Sequence, residues 1–171
     1  TNIVHNNMVY GLTKGQASPT SEKGMKTPVQ VDGVVLEPFN PVATAITLGA
    51  TFVGRVFSGD ILQAKEIVKQ AILHKGYALV DVFQPCIVFN KQNTYQWFKE
   101  NTYYLDETHE KGNRSKALDI AFNMEKMALG VIYQAAEKPS YETLVRAGAE
   151  PLYKTPLDTG ALSQLIEGYS K

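Results

Sequence analysis

An α/β fold, with a mostly parallel sheet and helices on both faces, is what the sequence predicts, on three observations. Short β-branched runs occur at Thr1 to His5, Thr51 to Arg55 (TFVGR), Tyr77 to Phe83 (YALVDVF) and Leu129 to Tyr133 (LGVIY). Stretches of helical periodicity separate them. A long polar loop follows the first run, at the kind of strand end where open α/β sheets bind their ligands.

Each element has a local reason. Thr1 to His5 reads as a strand closed by the asparagine pair Asn6 and Asn7. Gly11 to Pro28 (GLTKGQASPTSEKGMKTP) has no period of either kind, and a structureless loop that long in a compact domain is functional or disordered. Pro41 to Gly49 predicts a short helix with Pro41 in its first turn. Ser58 to Lys75 is the clearest helix: Ile61, Ala64, Ile67, Val68, Ala71 and Ile72 share one face. Ser58 suits its cap, Asp60 the positive end of its dipole, and Gly76 its stop. Ser115 to Met127 predicts a third helix with Ala117, Ile120, Ala121 and Met124 inward. Beyond Lys138 the pattern weakens through PSYETLVRAG and PLYKTPLDTG to a last amphipathic piece, Ala161 to Tyr169. The expected division is therefore a body at 1–138 and a tail at 139–171 that packs on the domain or on a partner subunit.

Composition narrows the functional classes. Seventeen basic side chains balance seventeen acidic ones, which argues against a nucleic-acid coat. No apolar run reaches the roughly 18 to 20 residues of a membrane helix, and no signal peptide opens the chain, so a cytoplasmic protein without a membrane partner is expected. The single cysteine, Cys86, excludes an intramolecular disulfide and leaves packing, reactivity or metal ligation.

On local chemistry, an asparagine oxygen at the end of a parallel strand suits Mg²⁺, which takes near-octahedral oxygen ligands and is commonly held by one or two protein groups plus phosphates. The same residues also make an ordinary turn. Cys86, in QPC directly after a strand, reads either as a small, partly buried apolar residue or as a ligand.

NNMVYGLTKGQASPTS resembles the second half of the thiamine diphosphate motif in beta subunits of 2-oxoacid:ferredoxin oxidoreductases. The resemblance continues through PFNPVATAITLGATFVGRVFSGD and YALVDVFQPCIVFN to LGVIYQAAEKPSYE, ending near Glu142, and is most specific from Tyr10 to Ser21. It implies that 1–138 is the carboxyl-terminal part of a thiamine-diphosphate-binding domain, a partial fold of that type. Aligned on Tyr10, the family's side-chain Mg²⁺ ligand falls on Asn7 and its backbone-carbonyl ligand on Val9, while His5 and Asn6 are not carried over. Tyr10, Gly11, Leu12, Thr13 and Gln16 are implied as cofactor-binding. Lys14 either faces the substrate carboxylate as the catalytic point charge or is a solvated lysine. Leu12 either lines the substrate pocket or simply packs.

The family motif begins with a Gly-Asp-Gly whose aspartate binds the metal, and only six residues precede Asn7. VDGV at Asp32 and SGDI at Asp60 stand in the wrong order and read as a tight turn and a helix first turn. In the family a strand-end S/Q-P-C cysteine is the fourth ligand of a 4Fe-4S cluster, which matches Cys86. A four-iron cluster takes four protein ligands, and this chain has one cysteine. The expectation is a carboxyl-terminal part, completed by the amino-terminal portion of the same beta subunit.

The activity implied is oxidative decarboxylation of a 2-oxoacid to acyl-coenzyme A, with electrons passing through the cluster to ferredoxin and the pocket completed by an alpha subunit. A non-oxidative thiamine diphosphate decarboxylase or synthase would need Asn7 and Val9 but not Cys86. A non-catalytic assembly module would need neither. Elsewhere, His74 reads as capping the last turn of its helix, His109 as part of a solvated loop, and the aromatic group at Tyr95, Trp97, Phe98, Tyr103 and Tyr104 as core packing or a cover for Cys86. Arg55 reads as a salt-bridge partner or a contact for an anion.

Overall fold

The computed structural model describes residues 1–146, 150, 152–154, 156 and 158–169. It forms two compact units, Thr1–Ser140 and Tyr141–Lys171. The first is built on a five-stranded sheet of β1 (Asn2–Asn6), β2 (Phe52–Phe57), β3 (Ala78–Phe83), β4 (Thr102–Tyr104) and β5 (Met127–Gln134), in the order β1-β3-β2-β5-β4. β1 and β2 both run parallel to β3, β4 runs parallel to β5, and β5 meets β2 antiparallel. The sheet is thus mostly parallel, as expected. Every residue of β2 and β3 is buried, which is why these strands are near-continuous apolar runs.

Two helices cover one face. α1 (Pro41–Thr47) is capped by Asn40, whose side chain accepts from the Ala43 amide at 2.9 Å. α4 (Arg114–Phe122) packs beside it, and Val42, Ile46, Ala117 and Ala121 close on Val53, Leu79 and Ile132. The other face is covered by α2 (Ile61–Leu73), whose Ile67 and Ala71 meet Phe52, Val56, Val80 and Val82. Full burial of each valine, leucine, isoleucine or phenylalanine among these contributes about 1.5–3 kcal/mol, and of each alanine less. Between β3 and β4 lies α3 (Tyr95–Asn101), which sequence periodicity did not predict. It buries only Phe98, stacked 4.8 Å from Phe83 and 5.7 Å from Phe57, so the aromatic segment is partly core; Tyr95 and Tyr104 remain exposed.

Several boundaries differ from expectation. α2 is capped by Asp60, whose carboxylate accepts from the Gln63 amide at 3.1 Å; Ser58 is still tied to the sheet through the Phe83 carbonyl. Ile61 and Ile72 face solvent, and the buried stripe is Ala64, Ile67, Val68 and Ala71. α4 ends at Phe122 because Met127 already belongs to β5, which leaves Met124 exposed. The backbone N–H of His74 closes α2 on the Gln70 carbonyl, but its ring Nε2 pairs with Thr51 Oγ1 at 2.8 Å, not with a helix carbonyl. His109 is not solvated: its Nε2 lies 2.8 Å from the Ile132 carbonyl. Asp32 occupies the turn closed by Gly33 N–H on the Gln30 carbonyl, as read from VDGV.

In the second unit, α5 (Tyr141–Arg146) precedes a 3₁₀ turn at Leu152–Lys154 and α6 (Thr159–Tyr169). α6 starts on Asp158, whose carboxylate accepts from Gly160 and Ala161 N–H at 3.0 Å each. Part of the PLYKTPLDTG spacer lies outside the described residues. No helix among those described is long and apolar enough to cross a membrane.

Candidate functional site

Register brings three strand ends together, since Asn6 of β1 and Phe57 of β2 both pair with Phe83 of β3. Segments leaving β1 and β3 therefore emerge side by side. After β1 the chain turns through Met8 with φ 56°, a left-handed conformation uncommon outside glycine. Asn7 Oδ1 accepts from Val9 N–H at 3.1 Å, and Ser21 Oγ donates to the Met8 carbonyl at 2.6 Å. Val9 is buried, yet no donor among the described residues reaches its carbonyl. A side-chain oxygen and an unpaired backbone carbonyl at one turn are a donor set that fits a hard cation such as Mg²⁺.

The loop that follows is ordered, contrary to its lack of sequence period. Tyr10 and Gln16 form an isolated bridge, Tyr10 N–H donating to the Gln16 carbonyl at 2.8 Å. Gly15 N–H returns to the Tyr10 carbonyl at 2.9 Å, with Lys14 and Gly15 both at positive φ (67° and 100°). Further along, Thr20 Oγ1 donates to Asn6 Oδ1 at 2.8 Å and pins the loop to the end of β1.

This loop walls a cleft of about 1260 Å³. Asn7, Val9, Tyr10, Gly11, Thr13 and Gln16 line one side, together with Leu12, which is almost fully exposed. The rest of the lining comes from α1 and its C-cap, with Thr44 and Leu48, from Val4 of β1 and from Tyr77 just before β3. Gln16 contributes to the wall, while its Oε1 is buried without a hydrogen-bond partner. Lys14 is exposed and does not line the cleft.

Cys86 follows β3 after Pro85 and is half-buried. Burial pushes its thiol up, but the backbone N–H groups of Phe89, Val88 and Asn90, with the charge of Lys91, outweigh this and hold it below the ordinary thiol value. A sulfur ringed by peptide donors favours thiolate, the form that ligates metal. A Cβ placed on Gly11 would lie 4.0 Å from Cys86 Sγ and 4.0 Å from Asn7 Nδ2, so the two predicted ligands share one wall. Among the described residues no three His, Cys, Asp or Glu side chains gather to hold a metal. The sulfur fits one corner of an iron-sulfur cluster and no more.

Sequence reasoning passed over the support beneath these turns. Asn6 is buried, and its Nδ2 donates to Asp81 Oδ1 at 3.1 Å; Asp81 Oδ2 accepts from Arg55 Nε at 2.9 Å. Arg55 also lies 4.8 Å over the Phe83 ring, and its Nη1 is buried without a partner. The signal was present: one charge inside FVGRVF and one inside ALVDVF, each in a run with no other polar side chain. Of the two readings for Arg55, the salt bridge is the one realised.

Comparison with known proteins matches two successive stretches of the chain. Residues 1–82 match the "Thiamine pyrophosphate enzyme, C-terminal TPP binding domain" family, and residues 86–150 match the family formed by the C-terminal region of the pyruvate ferredoxin oxidoreductase beta subunit. The beta subunit of a 2-oxoacid:ferredoxin oxidoreductase from Sulfolobus sp is 39% identical over 99% of this chain and 58% of that relative. Its counterpart from Saccharolobus solfataricus is 38% identical over 98% of this chain and 57% of the relative. The chain therefore spans a little over half the length of these relatives. A solved 2-oxoglutarate:ferredoxin oxidoreductase from Magnetococcus marinus, with 2-oxoglutarate, coenzyme A and succinyl-CoA bound, superposes with a TM-score of 0.80 at 29% identity, over 95% of this chain and 56% of that one.

Proposed function

The chain belongs to the family of 2-oxoacid:ferredoxin oxidoreductase beta subunits, and on that premise we propose that it carries half of a thiamine diphosphate site and one corner of an iron-sulfur site. The activity is oxidative decarboxylation of a 2-oxoacid to acyl-coenzyme A, with electrons delivered to ferredoxin in the cytoplasm. The observation that carries this reading is the convergence of Asn7 and Cys86 on Gly11.

Asn7 Oδ1 and the Val9 carbonyl would hold Mg²⁺, Asn7 Oδ1 having a second lone pair beside the one that accepts from Val9 N–H. Tyr10, Gly11, Leu12, Thr13 and Gln16 form the wall against the cofactor, where the Thr13 hydroxyl and the Gln16 Nε2 would donate to phosphate or substrate oxygens. Lys14 is exposed outside the cleft wall here, and to act as the point charge for the carboxylate of a 2-oxoacid its side chain would swing inward from the loop. Thiamine diphosphate supplies the carbanion chemistry and the 4Fe-4S cluster the one-electron steps, while the protein supplies orientation and electrostatics. Cys86 is the fourth thiolate, and the amino-terminal portion of the same beta subunit brings the remaining three. The far side of the cleft is closed by an alpha subunit, with the 139–171 segment available to pack on the domain or on a partner.

The test uses the assembled complex. Asn7→Ala should weaken binding of Mg²⁺ and thiamine diphosphate and leave the iron content unchanged. Cys86→Ser should lose cluster iron and retain the cofactor. Thiamine diphosphate binding in a wild-type complex free of iron would favour the non-oxidative decarboxylase or synthase, and unaltered affinity in Asn7→Ala would remove the metal assignment.

A further inference from the structure

Asn90 joins the two turns of the site. It is 2% exposed, and both ends of its amide are in use. Its Nδ2 donates to the Asn7 carbonyl at 3.2 Å and to Asn93 Oδ1 at 2.8 Å. Its Oδ1 accepts from the N–H groups of Gln92 at 3.1 Å and Asn93 at 2.9 Å. Its own backbone N–H closes on the Cys86 carbonyl at 3.1 Å and is one of the donors drawn to the Cys86 sulfur. One residue thus closes the cysteine turn with its backbone and, with its side chain, grips the peptide of Asn7. A second tie lies beside it, where the Glu22 carboxylate accepts from Asn93 Nδ2 at 3.0 Å. An amide has two donors and two acceptor lone pairs, and a buried amide with all of them engaged holds its surroundings in one arrangement.

We infer that Asn90 is a positioning residue that fixes the Cys86 sulfur relative to the Asn7–Val9 turn, so that a disturbance at either centre is felt at the other. The inference rests on the functional reading above and adds a residue that touches neither substrate nor metal.

The test again uses the complete complex, with Asn90→Ser. A serine hydroxyl still accepts from the Gln92 and Asn93 N–H groups but is too short to reach the Asn7 carbonyl. Loss of the two bonds made by Nδ2, of which the one to the Asn7 carbonyl bears on the metal turn, should weaken Mg²⁺–thiamine diphosphate binding by about three- to tenfold. The paramagnetic resonance line shape of the reduced cluster should change, and so should its reduced fraction at a fixed poise. Unchanged values at both centres, or a change confined to one of them, overturn the inference. If Asn90→Ser does not assemble, Asn90→Asp keeps both accepting contacts while turning the donor into a charged acceptor against the Asn7 carbonyl; unchanged cofactor affinity there overturns the inference equally. A wild-type complex without iron, or one whose cofactor affinity ignores Asn7→Ala, overturns the functional reading instead. The two failures are therefore distinct.

Discussion

Asp81→Ala is the most demanding test of the structure, because the loss it predicts comes from a charge left behind. The carboxylate has no exposed surface, its partner Arg55 is 1% exposed, and the two meet at 2.9 Å. Breaking a buried pair by removing one partner costs about 3–5 kcal/mol, since the remaining ion keeps its desolvation penalty. Asn6 Nδ2 also loses its acceptor, a group whose abandonment costs about 1–3 kcal/mol, although the two losses overlap because they share one carboxylate. Taken at about 4 kcal/mol, the deficit is a large share of the roughly 5–15 kcal/mol that holds a typical domain together. At about 2–4 °C per kcal/mol for a chain of this size, the melting temperature should fall by roughly 8–16 °C. Urea unfolding followed by the single tryptophan, Trp97, measures it directly, since that ring stands edge-on to Phe98 in the core beside the site. The double variant Asp81→Leu, Arg55→Met should recover most of the loss, because an apolar pair needs no counter-ion. A cost below about 1 kcal/mol for Asp81→Ala, or a double variant as unstable as the single one, would refute the reasoning.

Other perturbations probe the loop and the pH response. Gly15→Ala forces an L residue to φ 100° and brings a methyl to 3.1 Å from the Phe89 ring, so a loss of about 1–3 kcal/mol is expected in urea unfolding. Gly24→Ala, at φ 83° in open space, should cost only the backbone term of about 1–2 kcal/mol. For His74, burial lowers the folded-state pKa, with Glu137 opposing. The unfolded chain then takes up the proton first, so this contribution is complete above about pH 6.5 and is lost as the pH falls through the interval just below. The melting temperature of the wild type should therefore drop further between pH 7.5 and pH 5.5 than that of His74→Gln; equal drops would show that His74 has no part in it.

Much of the scaffold can be read from the chain alone, and what escapes has identifiable causes. The stripe Ala64, Ile67, Val68 and Ala71 repeats at helical spacing against the sheet, whereas Ile61 and Ile72 share the period but sit at the rim of the stripe, where burial depends on neighbours. α3 is seven residues with one buried side chain, too short for periodicity to register; Thr94, which accepts from the Trp97 amide, is the cue that was available. The antiparallel entry of β5 beside β2 has no local signature at all. At the site, Asn7, Val9 and Cys86 were legible as residue types in context, but their approach depends on β1 lying next to β3, a neighbour far away in sequence. The order of Gly11 to Pro28 comes from Thr20 and Ser21 bonding back to the end of β1, contacts that leave no period in a sequence. Asn90 looked like any loop asparagine until its four partners were in place.

The position of β1 at the rim of the sheet has a practical consequence. Among the described residues no strand lies beyond it, and its sequence, NIVHN, carries neither the lysines nor the proline that usually keep a rim from recruiting strangers. One row of amide and carbonyl groups is thus left as a template for any extended peptide that drifts by. A further strand would pair there, and protection of the outward β1 amides from hydrogen exchange by a short extended peptide is the direct sign of it.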